Sequence, residues 1–572
     1  MASRARSRAR WILASSAGCS LAGCMLIAPI EVRDDARGGA GATSAGSNSG
    51  GRSGASGANS AGASAGDAGE AQAGSDAGPG VPCTTHLECR PMFQDEPARC
   101  RSDGRCVPLK AGRCSEALGD TDHPDSVVFG AYAPLGSSDG RRTALSIYEL
   151  ATRDFNGERG MGLPPATRGG SRRPLGVVVC DSASEHVDAG MRHLVGEVEV
   201  PAVIAALEVG DLLRVVREYL DQGVFLISPF GGSRDLGTEL REGRLWTLLG
   251  APADFVAIYA ALLARVEAYR LGPAPARSLK VVSVETPDSF SSELARTALD
   301  ALRFNGRSAV EQLDENYFPH TVDTAADDLD QRLAEVASAI VAERPDVILS
   351  FADPVFAQKA TALAPAGLIE RIEFLWGELE RPTYVLSPLN ATQLEYDVAA
   401  QIRPAISAGV DSAAYTRFLG VTAAGPDDTS VYDAFAVRLR AFASSADPEA
   451  SNFYDAYYFL AYAMAGAGSS GTLSGDEIGA GMKRLLSQNR ELEANVGEND
   501  IARVFRLLSD GDNVRLIGTL GPPDFDVTRG TRNEAGSVAC FDSDVELHRN
   551  ALRYDPEAMA LGGDSSVCFD GF

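Results

Sequence analysis

The sequence has few basic residues for its size, and its body contains no long apolar run. Lysine and arginine number 52 against 78 aspartate and glutamate residues, so the formal net charge is -26. Because phosphate binding requires clustered cations, this balance argues against a nucleic-acid partner. After the amino terminus, no stretch reaches the roughly 18–20 apolar residues that a membrane-spanning helix needs. We therefore expect the body of the chain to lie outside the membrane.

Motifs of common catalytic sites are also scarce. The sequence has no HExxH zinc motif and no phosphate-binding loop of the Walker type. GERGMG at residues 157–162 matches the dinucleotide-binding pattern only loosely, and no predicted strand precedes it. Cys180, Asp181 and His186 could form a nucleophile with its base, but Cys180 ends an apolar run, which favours a structural role. We predict no enzyme activity, no catalytic residue, no metal and no cofactor.

The first eighty residues consist largely of Gly, Ala and Ser, unlike the rest of the 572-residue chain. Several arginines precede a short apolar segment at residues 11–22, as in a signal peptide. LAGC at residues 21–24 resembles the bacterial lipobox, which implies cleavage before Cys24 and lipidation of that residue; a cut before Cys19 is the alternative. Met25 after the lipidated cysteine favours the outer membrane. The following residues bury too little apolar surface to fold, so we expect a flexible tether.

Ten cysteines are present, of which two fall in the signal region. The other eight are Cys83, Cys89, Cys100, Cys106, Cys114, Cys180, Cys540 and Cys568. An even number in an exported chain favours disulfides, and the dense spacing within residues 83–114 indicates a small module with little core of its own. A zinc site is the alternative, but the module lacks CxxC pairs and has one histidine, His86. We expect two bridges inside the module, together with Cys114–Cys180 and Cys540–Cys568.

From residue 126 short apolar runs alternate with amphipathic stretches, which is typical of a parallel α/β sheet. Predicted strands lie at residues 127–135, 176–182, 202–207 and 224–229, and predicted helices at residues 144–156, 189–198 and around Val215 and Tyr219. After the Pro-containing residues 272–276, strands are predicted at 280–285, 346–351 and 384–390, and helices at 292–302 and 454–465. The restart of the pattern predicts a second lobe.

The order of these pieces resembles the type I periplasmic-binding family, and most of all its branched-chain amino-acid-binding and receptor-ligand-binding members. VVFGAYAPL, the helix ending in DFN, VVVCDS, AVIAA, LISPFGGSRDL and the late GTLGPPDFDVTRG carry the similarity, which spans residues 127–530. The resemblance implies an α/β fold of two parallel-sheet, Rossmann-like lobes joined by several crossings. It also implies a ligand held in the cleft between the lobes, at the carboxyl ends of the strands.

The chain is divided accordingly. We expect a signal peptide at 1–23, a tether at 24–80, a Cys-rich disulfide module at 81–115, the binding domain at 126–530 and a disulfide-closed extension at 531–572. Within the binding domain, the first lobe is expected at about residues 126–272 with later returns, and the second at about 278–400 with later segments.

The resemblance also places the ligand contacts of the first lobe. They are Glu208, Val209, Ser228, Phe230, Gly231, Gly232 and Ser233. The amino-acid binders have hydroxyl residues where this chain has Val209 and Gly232, and a backbone-donating alanine where it has Phe230. The usual clamp for an amino acid is therefore not preserved, although the two glycines still offer N–H groups and Ser233 a hydroxyl.

On the second lobe, Phe290 matches a position where the family stacks an aromatic ring on its ligand. Asp353 and Asn390 lie near positions that contact the ligand's ammonium group. The alternatives are a core role for Phe290 and a helix cap for Asp353. Tyr132, on the loop of the first strand, is expected to close the pocket.

Two functions fit the sequence. The first is a solute-binding lipoprotein of the cell envelope, which serves an ABC-transporter permease or a sensor protein and closes over a small, amino-acid-like or other ligand. The second is an envelope interaction protein with a degenerate cleft, which uses the Cys-rich module as its contact surface. In both, a lipid anchor supplies the membrane contact and no nucleic acid is bound. We favour the first.

Overall fold

The computed structural model describes residues 82–158, 160–166, 169–233, 236, 243–272, 276–324, 326–352, 367–376, 381–388, 416–423, 425, 429–468, 473–533, 536–542, 544, 546–556, 558–563 and 565–569. The expected signal peptide and tether, with Cys24, fall outside these residues, and so do Asp353 and Asn390. Among the described residues, no helix combines the length and apolar character that crossing a membrane requires.

Two disulfides hold the Cys-rich module together. Its strands are β1 (Ala98–Cys100) and β2 (Cys106–Pro108), which pair antiparallel. The bridges are Cys83–Cys100 and Cys89–Cys106, and the module's apolar cluster consists of little besides these cysteines. A third bridge, Cys114–Cys180, links the module to the first lobe. Two bridges inside the module and a Cys114–Cys180 bridge were expected, and the structure adds which cysteines pair within the module, whose own core is small.

The first lobe begins directly after the module. Its elements are β3 (Glu116–Gly119), β4 (Val127–Ala133), α1 (Ser138–Asn156), β5 (Leu175–Asp181), α2 (Ser184–Met191), β6 (Ala202–Ile204), α3 (Val209–Tyr219), β7 (Phe225–Gly231) and β8 (Leu245–Leu249). The residues of β4, β5, β6 and β8 are all buried. These strands are apolar along their whole length because helices cover a parallel sheet on both faces.

The second lobe follows with the same alternation. Its elements are α4 (Val256–Leu271), β9 (Val281–Glu285), α5 (Ser289–Ala301), β10 (Arg303–Phe304), β11 (Arg307–Ser308), β12 (Tyr317–Thr321), α6 (Leu329–Glu343), β13 (Val347–Ser350), α7 (Leu368–Trp376), β14 (Thr383–Leu386) and β15 (Phe418–Ala423).

The chain then returns to each lobe once. The first lobe receives α8 (Ser430–Phe442), α9 (Ser451–Gly466), α10 (Gly475–Lys483), β16 (Glu493–Asn495), α11 (Ile501–Asp510), β17 (Arg515–Ile517), β18 (Phe525–Asp526) and β19 (Thr531–Arg532). The second lobe receives β20 (Gly536–Phe541), β21 (Leu547–Asp555), β22 (Ala560–Gly563) and α12 (Ser565–Phe569). The Cys540–Cys568 bridge fastens α12 to β20.

Both large sheets have the same strand order in their parallel part. The first runs β18-β19-β8-β7-β6-β4-β5-β3, and the second runs β12-β9-β13-β14-β15-β20-β21-β22. Along the chain, β4 and β9 are the first parallel strands of their lobes. Within its sheet, each lies between the strands that come second and third along the chain. This is the doubly wound order 2-1-3-4-5, which reverses direction at that first strand. The two parallel-sheet lobes implied by the resemblance are therefore present.

The boundary between the lobes differs from the expected one. The first lobe was expected to extend to about residue 272, but α4 packs in the core of the second lobe, where Tyr259 and Leu262 join Val281 and Leu349. The first crossing therefore precedes α4. Among the described elements, the chain crosses between the lobes three times: before α4, between β15 and α8, and between β19 and β20.

Helix α9 is the central helix of the first lobe, and all of its residues are buried. Two of its hydroxyls, on Tyr454 and Tyr458, donate to the carboxylate of Asp154 in α1 at 2.7 and 2.8 Å. Arg438 of α8 forms an ion pair with the same carboxylate. A buried carboxylate is costly unless it is paired and hydrogen-bonded. This network therefore fixes α1, α8 and α9 relative to one another.

Asp455 of the same helix holds the late GTLGPP segment in place. Its carboxylate accepts hydrogen bonds from the backbone N–H groups of Thr519, at 2.8 Å, and Leu520, at 3.1 Å. A Cβ at Gly518 would lie 2.3 Å from Asp455 Oδ2, so only glycine lets the backbone approach this closely. The segment that resembles the family's late motif thus has a structural role in this chain.

We predict that this carboxyl makes stability depend on pH. Burial raises the pKa of Asp455 to about 6, although the two N–H groups and the charge of Arg532 limit the rise. The unfolded chain titrates near the usual pKa of 3.8, so between about pH 4 and 6 the folded protein binds more protons than the unfolded one. The contribution of Asp455 to the free energy of unfolding should fall by up to about 3 kcal/mol as the pH rises through this window.

The measurement is the urea unfolding midpoint of the wild type and of Asp455→Asn across this pH range. Other carboxyls also titrate there, so the informative quantity is the difference between the two slopes. The variant should be less stable overall, because Asp455 accepts the two N–H groups through separate oxygens whereas asparagine has only one oxygen, and it should lack this component of the slope. Equal slopes for the two proteins would contradict the assignment.

Candidate functional site

The two sheets have their topological switch points at β4 and β9. In an open α/β sheet, loops on either side of such a point leave in opposite directions and open a crevice at the carboxyl ends of the strands. In the first lobe, the residues after β6 that border this crevice are 205–208. In the second lobe, the residues after β9 that border it are 286–288.

The helices that begin after these two loops meet across the lobes. Helix α3 begins at Val209 and α5 begins at Ser289. A Cβ placed on Gly210 of α3 would lie 3.1 Å from the hydroxyl oxygen of Ser289. The amino ends of both helices, which carry N–H groups without intrahelical partners, therefore lie in the same region between the lobes. Here the structure brings Glu208 and Val209, predicted as ligand contacts, close to the second lobe.

Carboxylates from both lobes surround this meeting point. Asp288 caps α5, because its Oδ1 accepts from the N–H of Ser291 at 2.9 Å. Asp211 pairs with Arg214 at 2.7 Å. No described residue donates a hydrogen bond to the Glu208 carboxylate. The residue as a whole is exposed, but neighbouring groups remove part of the water around its carboxyl, and this desolvation raises the pKa of the carboxyl. The negative charges of Asp211 and Asp288 raise that pKa further. Because Asp288 belongs to the second lobe, the pKa of Glu208 depends on a charge across the cleft.

Strand β7 supplies the second group of predicted contacts. Ser228 is fully buried, and its hydroxyl accepts from the N–H of Phe230 at 3.1 Å. The half-buried ring of Phe230 meets Phe453 of α9 edge to face, with centroids 5.6 Å apart. These two residues are therefore engaged with the first lobe itself.

The remaining residues of this loop are small and closely packed. A Cβ at Gly231 would lie 2.4 Å from the carbonyl oxygen of Gly250. Glycine therefore allows the end of β7 to pack against the backbone that leads from β8 to the first crossing. Gly232 is buried near Leu236 and Thr247, and Ser233 is also buried. The structure places this loop at the carboxyl edge of the sheet, as expected.

Asn452 lies at the same edge and was missed by the sequence analysis. It is the second residue of α9, and its amide Nδ2 donates to the carbonyl oxygen of Pro229 in β7 at 3.1 Å. The residue is buried, and its Oδ1 has no hydrogen-bond partner among the described residues. A buried polar atom without a partner is costly, which makes this amide a candidate ligand contact. The signal in the sequence was a polar residue two positions before the largely apolar and aromatic residues 454–465.

Tyr132 does not line the cleft, contrary to the expectation. It lies within β4 and not on the following loop, and its side chain is fully buried. Its hydroxyl donates to the carbonyl oxygen of Val187 in α2 at 2.7 Å. Burial raises the pKa of Tyr132 well above its usual range. The alternation of side chains along the strand directs this ring beneath α2, so Tyr132 is a core residue.

Phe290 occupies an intermediate position. It is the second residue of α5, is half-buried, and packs against the hydrophobic core of the second lobe. Its place beside Asp288 puts it at the switch point of that lobe, while its packing fits the alternative of a core residue. Asp353 and Asn390, the other two predicted contacts of this lobe, lie outside the described residues.

Comparison with known proteins gives structural likenesses only. No protein-family model and no curated protein matches the chain. A branched-chain amino acid transporter substrate binding protein from Streptococcus pneumoniae, solved with isoleucine, is 13% identical over 74% of this chain and 98% of its own, with a TM-score of 0.48. A leucine binding protein from Thermotoga maritima is 14% identical over 76% of this chain and 99% of its own, with a TM-score of 0.47.

A third solved structure is an ABC transporter solute binding protein from R. palustris, in complex with benzoate. It is 14% identical over 77% of this chain and 99% of its own, with a TM-score of 0.46. Since these TM-scores are below 0.5, the fold assignment rests on the topology described above. Two sheets of order 2-1-3-4-5, three crossings and switch points that meet between the lobes define the two-lobed type I periplasmic-binding-protein fold.

The contact between Glu208 and the second lobe can be tested with Asp288→Asn. Asparagine caps a helix about as well as aspartate, so the variant removes one charge and retains the start of α5. The pKa of the Glu208 carboxyl should fall toward its usual value, while desolvation still holds it above that value. Side-chain carboxyl NMR titration with labelled glutamate measures this change.

Glu199 is the control for that titration. Burial raises its pKa, but hydrogen bonds from Ser102 and the charge of Arg101 outweigh burial and lower it, and none of these groups belongs to the second lobe. Its titration should not respond to Asp288→Asn. An unchanged pKa of Glu208 in the variant would contradict the proximity of the two lobes at this point.

Proposed function

We propose that the protein is an extracytoplasmic solute-binding protein that holds a small ligand between its two lobes. The observation that carries this proposal is the meeting of the amino ends of α3 and α5 directly outside the two switch points. A ligand in that position would contact both lobes at once, and would therefore favour the closed arrangement over an open one. Binding by lobe closure requires no catalytic residue.

The charges around the cleft favour a ligand with a positively charged nitrogen. Each helix amino end acts as about half a positive charge, which gives about +1 for α3 and α5 together. Arg214 adds one more, whereas Glu208, Asp211 and Asp288 contribute three negative charges when ionised. The balance is about -1. A cationic group between Glu208 and Asp288 would relieve their repulsion, and a buried acceptor at Asn452 would suit a hydrogen-bond donor on the ligand.

The cellular setting is part of the same proposal. Four disulfides fit an oxidising compartment outside the cytoplasm. We infer that Cys24 carries a lipid that anchors the protein to the envelope through the tether. The partner would be an ABC-transporter permease or a sensor protein in the membrane, which responds to the closed form.

The test is thermal unfolding of the oxidised protein in the presence of amines, amino acids, amides, short peptides and aromatic acids. A ligand at 100 times its Kd stabilises the folded protein by roughly 2.7 kcal/mol, which corresponds to several degrees. We expect compounds with a free amine to raise the melting temperature selectively. Glu208→Gln should abolish most of that rise.

Glu218→Gln is the matched control, because Glu218 lies near the other end of α3 and is exposed. This variant should respond to the ligand as the wild type does. A flat response of the folded wild-type protein to the whole library would contradict the proposal. Equal responses of the two variants would place the ligand away from Glu208.

A further inference from the structure

The turn between β20 and β21 brings three metal-ligating side chains together, outside the cleft. Phe541 pairs with Leu547 across this hairpin, and the N–H of Asp542 donates to the carbonyl oxygen of Glu546 at 3.1 Å. Asp542 thus lies opposite Glu546, which directly precedes β21, and His548 follows two residues later within that strand. Because side chains alternate along a strand, Asp542, Glu546 and His548 project from the same face.

The ligand atoms of these three residues are already close to one another. The imidazole Nε2 of His548 lies 2.7 Å from Asp542 Oδ2, and all three ligand atoms lie within 4.8 Å of one another. Asp542 and His548 are half-buried, and Glu546 is exposed. The set is therefore open to solvent on the side of Glu546, where an ion could enter.

The backbone of the turn orients the aspartate. Asp542 Oδ1 accepts from the N–H groups of Asp544 and Glu546, both at 2.9 Å, which leaves Oδ2 to face the imidazole. These two hydrogen bonds fix the orientation of the carboxylate and direct its second oxygen at His548, as outer hydrogen bonds orient a metal ligand.

We propose that this hairpin binds a divalent transition-metal ion of the zinc class, through His548 Nε2, Asp542 Oδ2 and the Glu546 carboxylate. Zinc accepts imidazole and carboxylate ligands at about 2.0–2.2 Å, and three protein ligands leave one position for water. Ligands of a tetrahedral ion lie about 3.4 Å apart, so the imidazole and Asp542, now 2.7 Å apart, need to separate by about 0.7 Å. The imidazole disfavours Ca²⁺ and Mg²⁺, which prefer oxygen ligands only.

Such an ion would link two strands of the antiparallel half of the second sheet, next to the Cys540–Cys568 bridge. The hairpin lies beyond β15, on the side of the sheet away from the switch point at β9. The metal site is therefore independent of the ligand cleft, and its test does not depend on the proposed solute.

The experiment is calorimetric titration of the full, oxidised chain with Zn²⁺, without a polyhistidine tag. We expect saturable binding of one ion, and an affinity at least about tenfold weaker in His548→Ala and in Glu546→Gln. Glu546 is exposed, so its variant should fold normally and keeps the test informative should His548→Ala be poorly folded. The same variants should lose the rise in melting temperature caused by Zn²⁺.

His320→Ala is the matched control. His320 Nε2 also pairs with a carboxylate, that of Glu343, at 3.0 Å, but this pair belongs to no three-residue cluster among the described residues. Removal of this imidazole should leave the titration unchanged. The proposal is overturned if the wild type shows no saturable binding. It is equally overturned if the affinity is unchanged in both His548→Ala and Glu546→Gln, or if His320→Ala weakens binding as much as they do.

Discussion

The structure depends on one topological constraint, the reversal of strand order at the first parallel strand of each lobe. A reversal at β4 and another at β9 each open a crevice at the carboxyl edge of a sheet. Because the chain crosses three times between the lobes, the crevices are held opposite each other, and α3 and α5 begin in the same region. The buried network around Asp154 and the bonds of Asp455 fix the returning helix α9 beneath the first of these crevices. Its Asn452 thereby reaches the edge of β7.

Much of the fold was predictable from local sequence, because fully buried parallel strands are continuous apolar runs. The runs that became β4, β5, β7, β9 and β13 were identified, each within about two residues at most boundaries. Strand β8 was missed, since LWTLL is a short apolar run that periodicity alone does not distinguish from part of a helix. Helix α4 was assigned to the wrong lobe. A boundary between lobes depends on which core the helix contacts, and the proline-containing stretch after α4 gives no information on that.

The site was less predictable, because its geometry depends on contacts between distant parts of the chain. The resemblance pointed to the loops after β6 and β7, which lie at the carboxyl edge of the sheet, but the direction of Tyr132 depends on the register of β4 beneath α2. Asn452 lies more than 200 residues from Pro229, its hydrogen-bond partner, and no local pattern connects them. The repulsion between Glu208 and Asp288 likewise arises only when the lobes come together. By contrast, the even number of cysteines predicted disulfides, although spacing did not fix their connectivity, because eight cysteines allow 105 pairings.

The central claim is that the amino ends of α3 and α5 meet between the lobes, and a cysteine cross-link tests it most directly. In a disulfide, a Cβ lies about 3 Å from the sulfur of the partner residue, which matches the 3.1 Å between a Cβ at Gly210 and the side-chain oxygen of Ser289. Oxidation of the double variant G210C/S289C, followed by peptide mapping without reduction, should reveal a linked pair of peptides alongside the four native bridges. Two free thiols at these positions, with the native bridges intact, would contradict the account.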